Sequence, residues 1–73
     1  MNEHSIGYLV HHYRTLKAFS RIEFAKEVGV SPQTVFYWET NQRKITMPHI
    51  RRIAEVLGVD VTEFTQYLLT EER

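Results

Sequence analysis

The residues of this chain that could do chemistry fall into two sets, and the first dissolves on inspection. His4, His11 and His12 crowd the N-terminus and invite a metal site. A zinc site needs several Cys, His or carboxylate ligands at workable spacings. No second pair of ligands stands at such a spacing, and the chain has no cysteine to supply a thiolate. These histidines therefore read as solvent-facing or packing side chains. No Ser/His/Asp set, pocketed carboxylate pair or glycine-rich phosphate loop stands out either. The expectation is a protein that is not an enzyme and carries no cofactor.

The second set lies between residues 20 and 44. Pro32, Gln33, Thr34, Phe36, Tyr37 and Thr40 mix amide and hydroxyl groups with aromatic rings, and Arg21, Arg43 and Lys44 add cations around them. An amide both donates and accepts hydrogen bonds, while a guanidinium or ammonium only donates and attracts anions. This is the chemistry of recognition.

Two short helices must position these groups. Ser20 and Glu23 have the spacing of a capping box, in which the serine oxygen accepts an orphan backbone N–H and the glutamate reaches back to the cap. Phe24, Ala25 and Val28 supply the apolar stripe of that helix, with Phe19 as a staple onto Phe24. Gly29 falls where a helix ending in the left-handed conformation favours a residue without Cβ. Ser31 caps the next helix and Pro32 takes its first position, where a missing N–H is no loss. Val35 and Trp38, three apart, face inward. Pro32, Gln33, Thr34, Phe36, Tyr37 and Thr40 are left outward. Two capped helices around a tight glycine turn, over about residues 20–41, form the pattern of a helix-turn-helix.

The flanks read as three more helices. Ser5 caps a helix from about Ile6 to Lys17, with Ile6, Leu9, Val10, Tyr13 and Leu16 on one side. Asn41 suits left-handed geometry, and Gln42-Arg43-Lys44-Ile45 forms a basic loop. Thr46 caps a fourth helix that tolerates Pro48 in its first turn and carries Ile50, Ile53, Ala54 and Leu57 inward before Gly58. Asp60 and Glu63 have the spacing of a second capping box, opening a fifth helix with Val61, Phe64, Tyr67 and Leu68 as its apolar side. No strand alternation, repeat or linker interrupts residues 1–73, so the chain reads as one all-α domain of five short helices.

Composition supports a folded chain: 73 residues, 42% of them hydrophobic, with four Phe, four Tyr and one Trp. Such a chain can bury only a small core. The absence of cysteine removes any need for an oxidising compartment. The first residues lack a signal peptide's apolar segment, and no run approaches the ~20 apolar residues of a membrane span. A soluble, cytoplasmic protein is expected. Net charge is zero, yet the charge is polarised. Residues 31–54 carry Arg43, Lys44, Arg51 and Arg52 against Glu39 alone, whereas residues 55–73 carry Glu55, Asp60, Glu63, Glu71 and Glu72 against Arg73. One face suits an anion and another suits something else.

Read in order, the motifs resemble a known family, the Cro/CI-type helix-turn-helix domains of phage repressors, or XRE family. The resemblance covers about residues 6–68 and is carried by Ser20, Phe24-Ala25, Gly29-Val30-Ser31, Trp38-Glu39, Arg43-Lys44 and Ile53-Ala54-Glu55-Val56-Leu57-Gly58-Val59. Asn41, Ile45 and Phe24 stand where that family usually has glycine, proline and leucine. The resemblance implies a compact lambda-repressor-like fold whose recognition helix, residues 32–40, enters the major groove of DNA.

It further implies base contacts from Pro32, Gln33, Thr34, Phe36 and Tyr37, and phosphate contacts from Arg21, Thr40, Arg43 and Lys44. The Gln33 amide can pair with adenine N6 and N7 together, against the bland alternative of a solvated glutamine. Phe36 either meets thymine methyls or turns toward the core or a dimer contact, and Tyr37 shares that ambiguity. Glu39, which would repel phosphate, is implied to pair with Arg14 as part of the architecture. Arg51 and Arg52 are expected to serve solubility.

The partner so implied is double-stranded operator DNA, bound by a homodimer that acts as a transcriptional repressor. Phe64, Tyr67, Leu68 and Leu69 are the candidate dimer surface. The alternative is a protein-interaction module, or an antitoxin-like protein with a regulatory protein partner, that has kept this fold with little or no DNA binding. No membrane partner is expected.

Overall fold

A computed structural model describes the backbone over residues 5–71 and the side chains over residues 5–67. Its elements are α1 (Ile6–Leu16), α2 (Arg21–Val28), α3 (Pro32–Glu39), α4 (Met47–Leu57) and α5 (Thr62–Glu71). Local chemistry sets most of the boundaries. The Ser5 side chain accepts from the Tyr8 backbone N–H at 3.0 Å and opens α1. Ser20 and Glu23 form both halves of the capping box on α2, at 3.0 and 2.9 Å. Gly29 closes α2 at φ 94°, a left-handed conformation in which a side chain would be strained.

Three local expectations need correction. Leu16 completes α1 but is 65% exposed, because the chain turns away at Ala18 with φ 63° and the core lies under the preceding turns. Thr46 occupies the N-cap of α4 without capping it; its hydroxyl lies 3.3 Å from His49 Nδ1 instead. Asp60 and Glu63 do not make a capping box. The Asp60 carboxylate accepts from the Thr62 backbone N–H and hydroxyl, both at 2.9 Å. Glu63 is drawn off by the Tyr13 hydroxyl, which donates to it at 3.0 Å. That hydrogen bond, with burial, raises the pKa of the Tyr13 phenol.

All five helices contribute to one core. Val10, Phe24, Val35, Trp38, Ile50, Ile53, Leu57 and Phe64 lie at its centre, and Ile45 seals it from the loop before α4. Phe19 packs on Phe24 with ring centroids 6.0 Å apart, the staple expected at the start of α2. Burying a large apolar side chain contributes ~1.5–3 kcal/mol, so these few residues carry most of the stability of a small chain. Arg52 adds a polar clip: its guanidinium donates to the Glu27 carbonyl at 2.9 Å and to Glu55 at 2.6 Å, tying α4 to the end of α2. Its role is therefore more than solubility.

α3 is held from both sides. α2 packs along it beyond the Gly29 turn, and α1 crosses it closely at Gly7. A Cβ built on Gly7 would come within 2.3 Å of the Trp38 carbonyl oxygen and 2.6 Å of the Asn41 side chain. Asn41 itself stands at φ 61° and donates to the Ser5 hydroxyl at 3.2 Å. The end of α3 is thus fastened to the start of α1. Among the described residues, no helix is long and apolar enough to cross a membrane.

Candidate nucleic-acid interface

The candidate surface begins with the caps of α3. Ser31 accepts from the Thr34 backbone N–H at 3.1 Å, and Pro32 takes the first helical position. Val35 and Trp38 are buried, so the helix can present only its opposite side. Pro32, Gln33 and Phe36 are exposed there, and Thr34, Tyr37 and Thr40 are half-buried.

The polar groups on this side have internal partners. Gln33 Nε2 donates to the Tyr37 hydroxyl at 2.7 Å. The Thr34 and Ser31 hydroxyls lie 2.9 Å apart. Thr40 donates to the Phe36 carbonyl at 2.8 Å and accepts from Gln42 at the same distance. The rings are covered too. The Arg21 guanidinium carbon lies 5.2 Å from the Phe36 centroid and that of Arg43 lies 5.0 Å from the Tyr37 centroid. With the two rings 6.0 Å apart, Arg21, Phe36, Tyr37 and Arg43 form one cation–aromatic row. Lys44 is exposed in the next position of the loop.

Beneath this row lies Glu39, whose side chain is fully buried. Arg14 donates to it twice, from Nε to Oε2 at 2.5 Å and from Nη2 to Oε1 at 3.2 Å, and spends Nη1 on the Phe19 carbonyl at 2.8 Å. Arg21 Nε reaches Glu39 Oε1 at 3.1 Å, and His11 Nδ1 stands 3.2 Å from the same oxygen. Burial pushes the Glu39 carboxyl pKa up, but the hydrogen bonds from Arg14, His11 and Arg21 and the Arg14 charge outweigh it and hold the group below the usual carboxylate range. The glutamate is thus charged and matched by two arginines. Arg14, Arg21 and Glu39 together retain one positive charge, so the acidic residue leaves no net negative charge at this end of α3.

The structure brings Arg21, Gln33, Phe36, Tyr37 and Arg43 into one contiguous patch. It does not bring Phe64 to a surface. That residue is fully buried, edge-on to Tyr13 with centroids 6.1 Å apart, and so is core rather than dimer contact. Phe64 closes the core between α1 and α4 and is therefore not spare. Tyr67 is half-buried against that core; the Leu68 and Leu69 side chains, like His4, lie outside the described residues. Among the described residues, no group of three or more His, Asp or Glu could hold a metal ion.

Two features of the site lie outside the sequence reading, the Arg21–Glu39 contact and the close approach at Gly7. The second ion pair of Glu39, to Arg21, joins positions with no helical relationship. Gly7 did carry a signal: a glycine inside a helix costs ~0.5–1 kcal/mol relative to alanine, so its presence marks a close approach of backbone.

A search of curated protein sequences found no match. Among solved structures, the N-terminal DNA-binding domain of SinR from Bacillus subtilis superposes with a TM-score of 0.74 at 28% identity, over 81% of this chain and 87% of that one. SinR, described as the master regulator for biofilm formation, is also known in complex with DNA; that structure matches with a TM-score of 0.73 at 28% identity, over 78% and 92% of the two chains. The hydroxypropylphosphonic acid epoxidase of S. wedmorenis matches at 28% identity with a TM-score of 0.72, but the chain spans 78% of its own length and only 30% of that enzyme. The clp gene regulator ClgR of Corynebacterium glutamicum shares the fold, with a TM-score of 0.78 at 18% identity over 93% and 88% of the chains. The helix-turn-helix family model matches residues 10–64, across all but the ends of this five-helix core, and the protein belongs to the helix-turn-helix family of Cro/CI (XRE) type.

Proposed function

We propose that the protein is a sequence-specific DNA-binding transcriptional regulator, folded as one domain, that lays α3 in the major groove of duplex DNA. The observation that carries this reading is the outward side of α3. It exposes the Gln33 amide and the Phe36 ring, with the half-buried Tyr37 ring beside them, on a helix whose inner side is anchored by Val35, Trp38 and the Glu39 ion pairs. The likeness to a SinR–DNA complex supports the same use of the fold. Gln33 reads a base edge in this account, with Pro32, Thr34, Phe36 and Tyr37 lining the contact. Arg21, Thr40, Arg43 and Lys44 face phosphate.

One recognition helix reads few base pairs, so we propose a homodimer on two half-sites about one helical turn apart, ~34 Å, acting as a repressor in the cytoplasm. Selection from a random-sequence duplex library tests this. The reading requires an enriched, two-fold symmetric site, and recovery of no preferred duplex would refute it. The zero net charge and the Phe36–Tyr37 pair favour a second reading, in which the same side of α3 docks a partner protein; an empty selection would support that one.

A further inference from the structure

We infer that Tyr37 is a positioning residue for base readout: its hydroxyl orients the Gln33 amide so that the groups left free match adenine. This rests on the proposal that α3 lies in the major groove. The two residues are one helical turn apart, and Gln33 Nε2 donates to Tyr37 Oη at 2.7 Å. A glutamine amide has two N–H donors and one carbonyl acceptor. With one N–H spent on Tyr37, one donor and one acceptor remain side by side.

Adenine presents an acceptor, N7, beside a donor, N6–H, in the major groove. Guanine presents two acceptors, N7 and O6. The amide as held can satisfy both adenine groups, whereas its carbonyl oxygen would face the O6 lone pairs of guanine. Reversing the amide would put its oxygen on the Tyr37 hydroxyl and turn two donors outward, the pattern suited to guanine. The hydroxyl contact therefore bears on which purine is accepted, without touching the base.

Tyr37 is itself fixed. The Arg43 guanidinium covers one face of its ring at 5.0 Å, and Phe36 leans against it with centroids 6.0 Å apart. A long, exposed glutamine would otherwise sample many rotamers. Anchoring it to a half-buried ring removes most of that freedom and, with Nε2 on the hydroxyl, holds the carbonyl oxygen and the second N–H toward the groove.

The test uses the site recovered from a random duplex library and the same site with each purine position exchanged. Competition binding is measured for the wild type, Gln33→Ala, Tyr37→Phe and the double variant. Tyr37→Phe keeps the ring that Arg43 covers and removes only the hydroxyl. The wild type should prefer adenine at one position of each half-site by ~5- to 150-fold, the range of one good bidentate pair. Gln33→Ala should abolish that preference, and Tyr37→Phe should reduce it at least three-fold at the same position while leaving the salt dependence unchanged. The double variant should discriminate no worse there than Gln33→Ala.

Full retention of the preference by Tyr37→Phe, in a background where Gln33→Ala loses it, would overturn the positioning role and leave the DNA-reading proposal standing. A changed salt slope with unchanged preference would overturn it too, by assigning the hydroxyl to phosphate. If Gln33→Ala keeps the wild-type preference, or no duplex is bound, base readout through Gln33 fails and the role of Tyr37 fails with it.

Discussion

The buried carboxylate of Glu39 meets the guanidinium of Arg14 at two points, Oε2 to Nε at 2.5 Å and Oε1 to Nη2 at 3.2 Å. The pair joins the last residue of α3 to the last turn of α1. Through Arg14 Nη1 it also grips the Phe19 carbonyl just before α2. One side chain thereby sets three helices against one another, and α3 receives its pose from the core rather than from its own eight residues.

Breaking that pair from one side should be expensive, because the surviving charge stays buried. Arg14→Ala and Glu39→Gln are each expected to destabilise the fold by ~3–5 kcal/mol. Urea titration at neutral pH checks the value. A loss below about 1 kcal/mol for either variant would place the pair outside the architecture.

The same carboxylate gives stability a pH dependence of known sign. The folded-state pKa of Glu39 lies below its ordinary value, and the unfolded chain restores ~4.3. Between the two, the unfolded state binds more protons, so stability rises with pH there. The contribution is full above the unfolded value and is lost as pH falls through the folded one. Glu23, lowered by its hydrogen bonds with Ser20, and Asp60, lowered by those from Thr62, act in the same direction. Thermal melts from pH 7 to pH 3 should show Tm falling in the wild type and falling less in Glu39→Gln. Parallel curves for the two would show that Glu39 is not the group that titrates.

Gly7 permits the approach of α1 to α3. Alanine is normally the better helix former, and such a substitution in an open helix stabilises by ~0.5–1 kcal/mol. Here the added carbon meets backbone, the Trp38 carbonyl oxygen at 2.3 Å, which cannot swing aside. Gly7→Ala should therefore destabilise by ~1–3 kcal/mol, the range of overpacked cores. Because the strain falls on the end of α3, affinity for duplex DNA should drop as well. Denaturant melts and a gel shift on the same protein measure both, and a stabilised variant would contradict the packing described.

What the sequence disclosed and what it withheld divide along a physical line. The Ser20–Glu23 box, the Gly29 turn and the Ser31–Pro32 start are contacts within a few residues, so composition and spacing suffice to specify them. The inward pair Val35 and Trp38 follows from helical period alone. The Arg21–Glu39 contact depends on how far α2 and α3 tilt, which no local spacing encodes. Glu63 had two possible partners, a local cap and a distant phenol, and Tyr13 took it. Phe64 seemed spare only because a list of apolar side chains does not show that α5 must close the core between α1 and α4. In the candidate interface, helical period indicates which residues face outward, but the row from Arg21 through Phe36 and Tyr37 to Arg43 emerges only when α2, α3 and the following loop are assembled.

The outward side of α3, with its flanking cations, is the surface we propose to meet duplex DNA. Titrating the isotope-labelled protein with a selected duplex and following backbone amide resonances tests it most directly. The largest shifts should fall on Arg21, on Gln33, Thr34, Phe36, Tyr37 and Thr40, and on Arg43 and Lys44, and they should shrink as salt is raised and counterion release is suppressed. Shifts confined to α4 and α5, or no salt-sensitive change on α3, would contradict it.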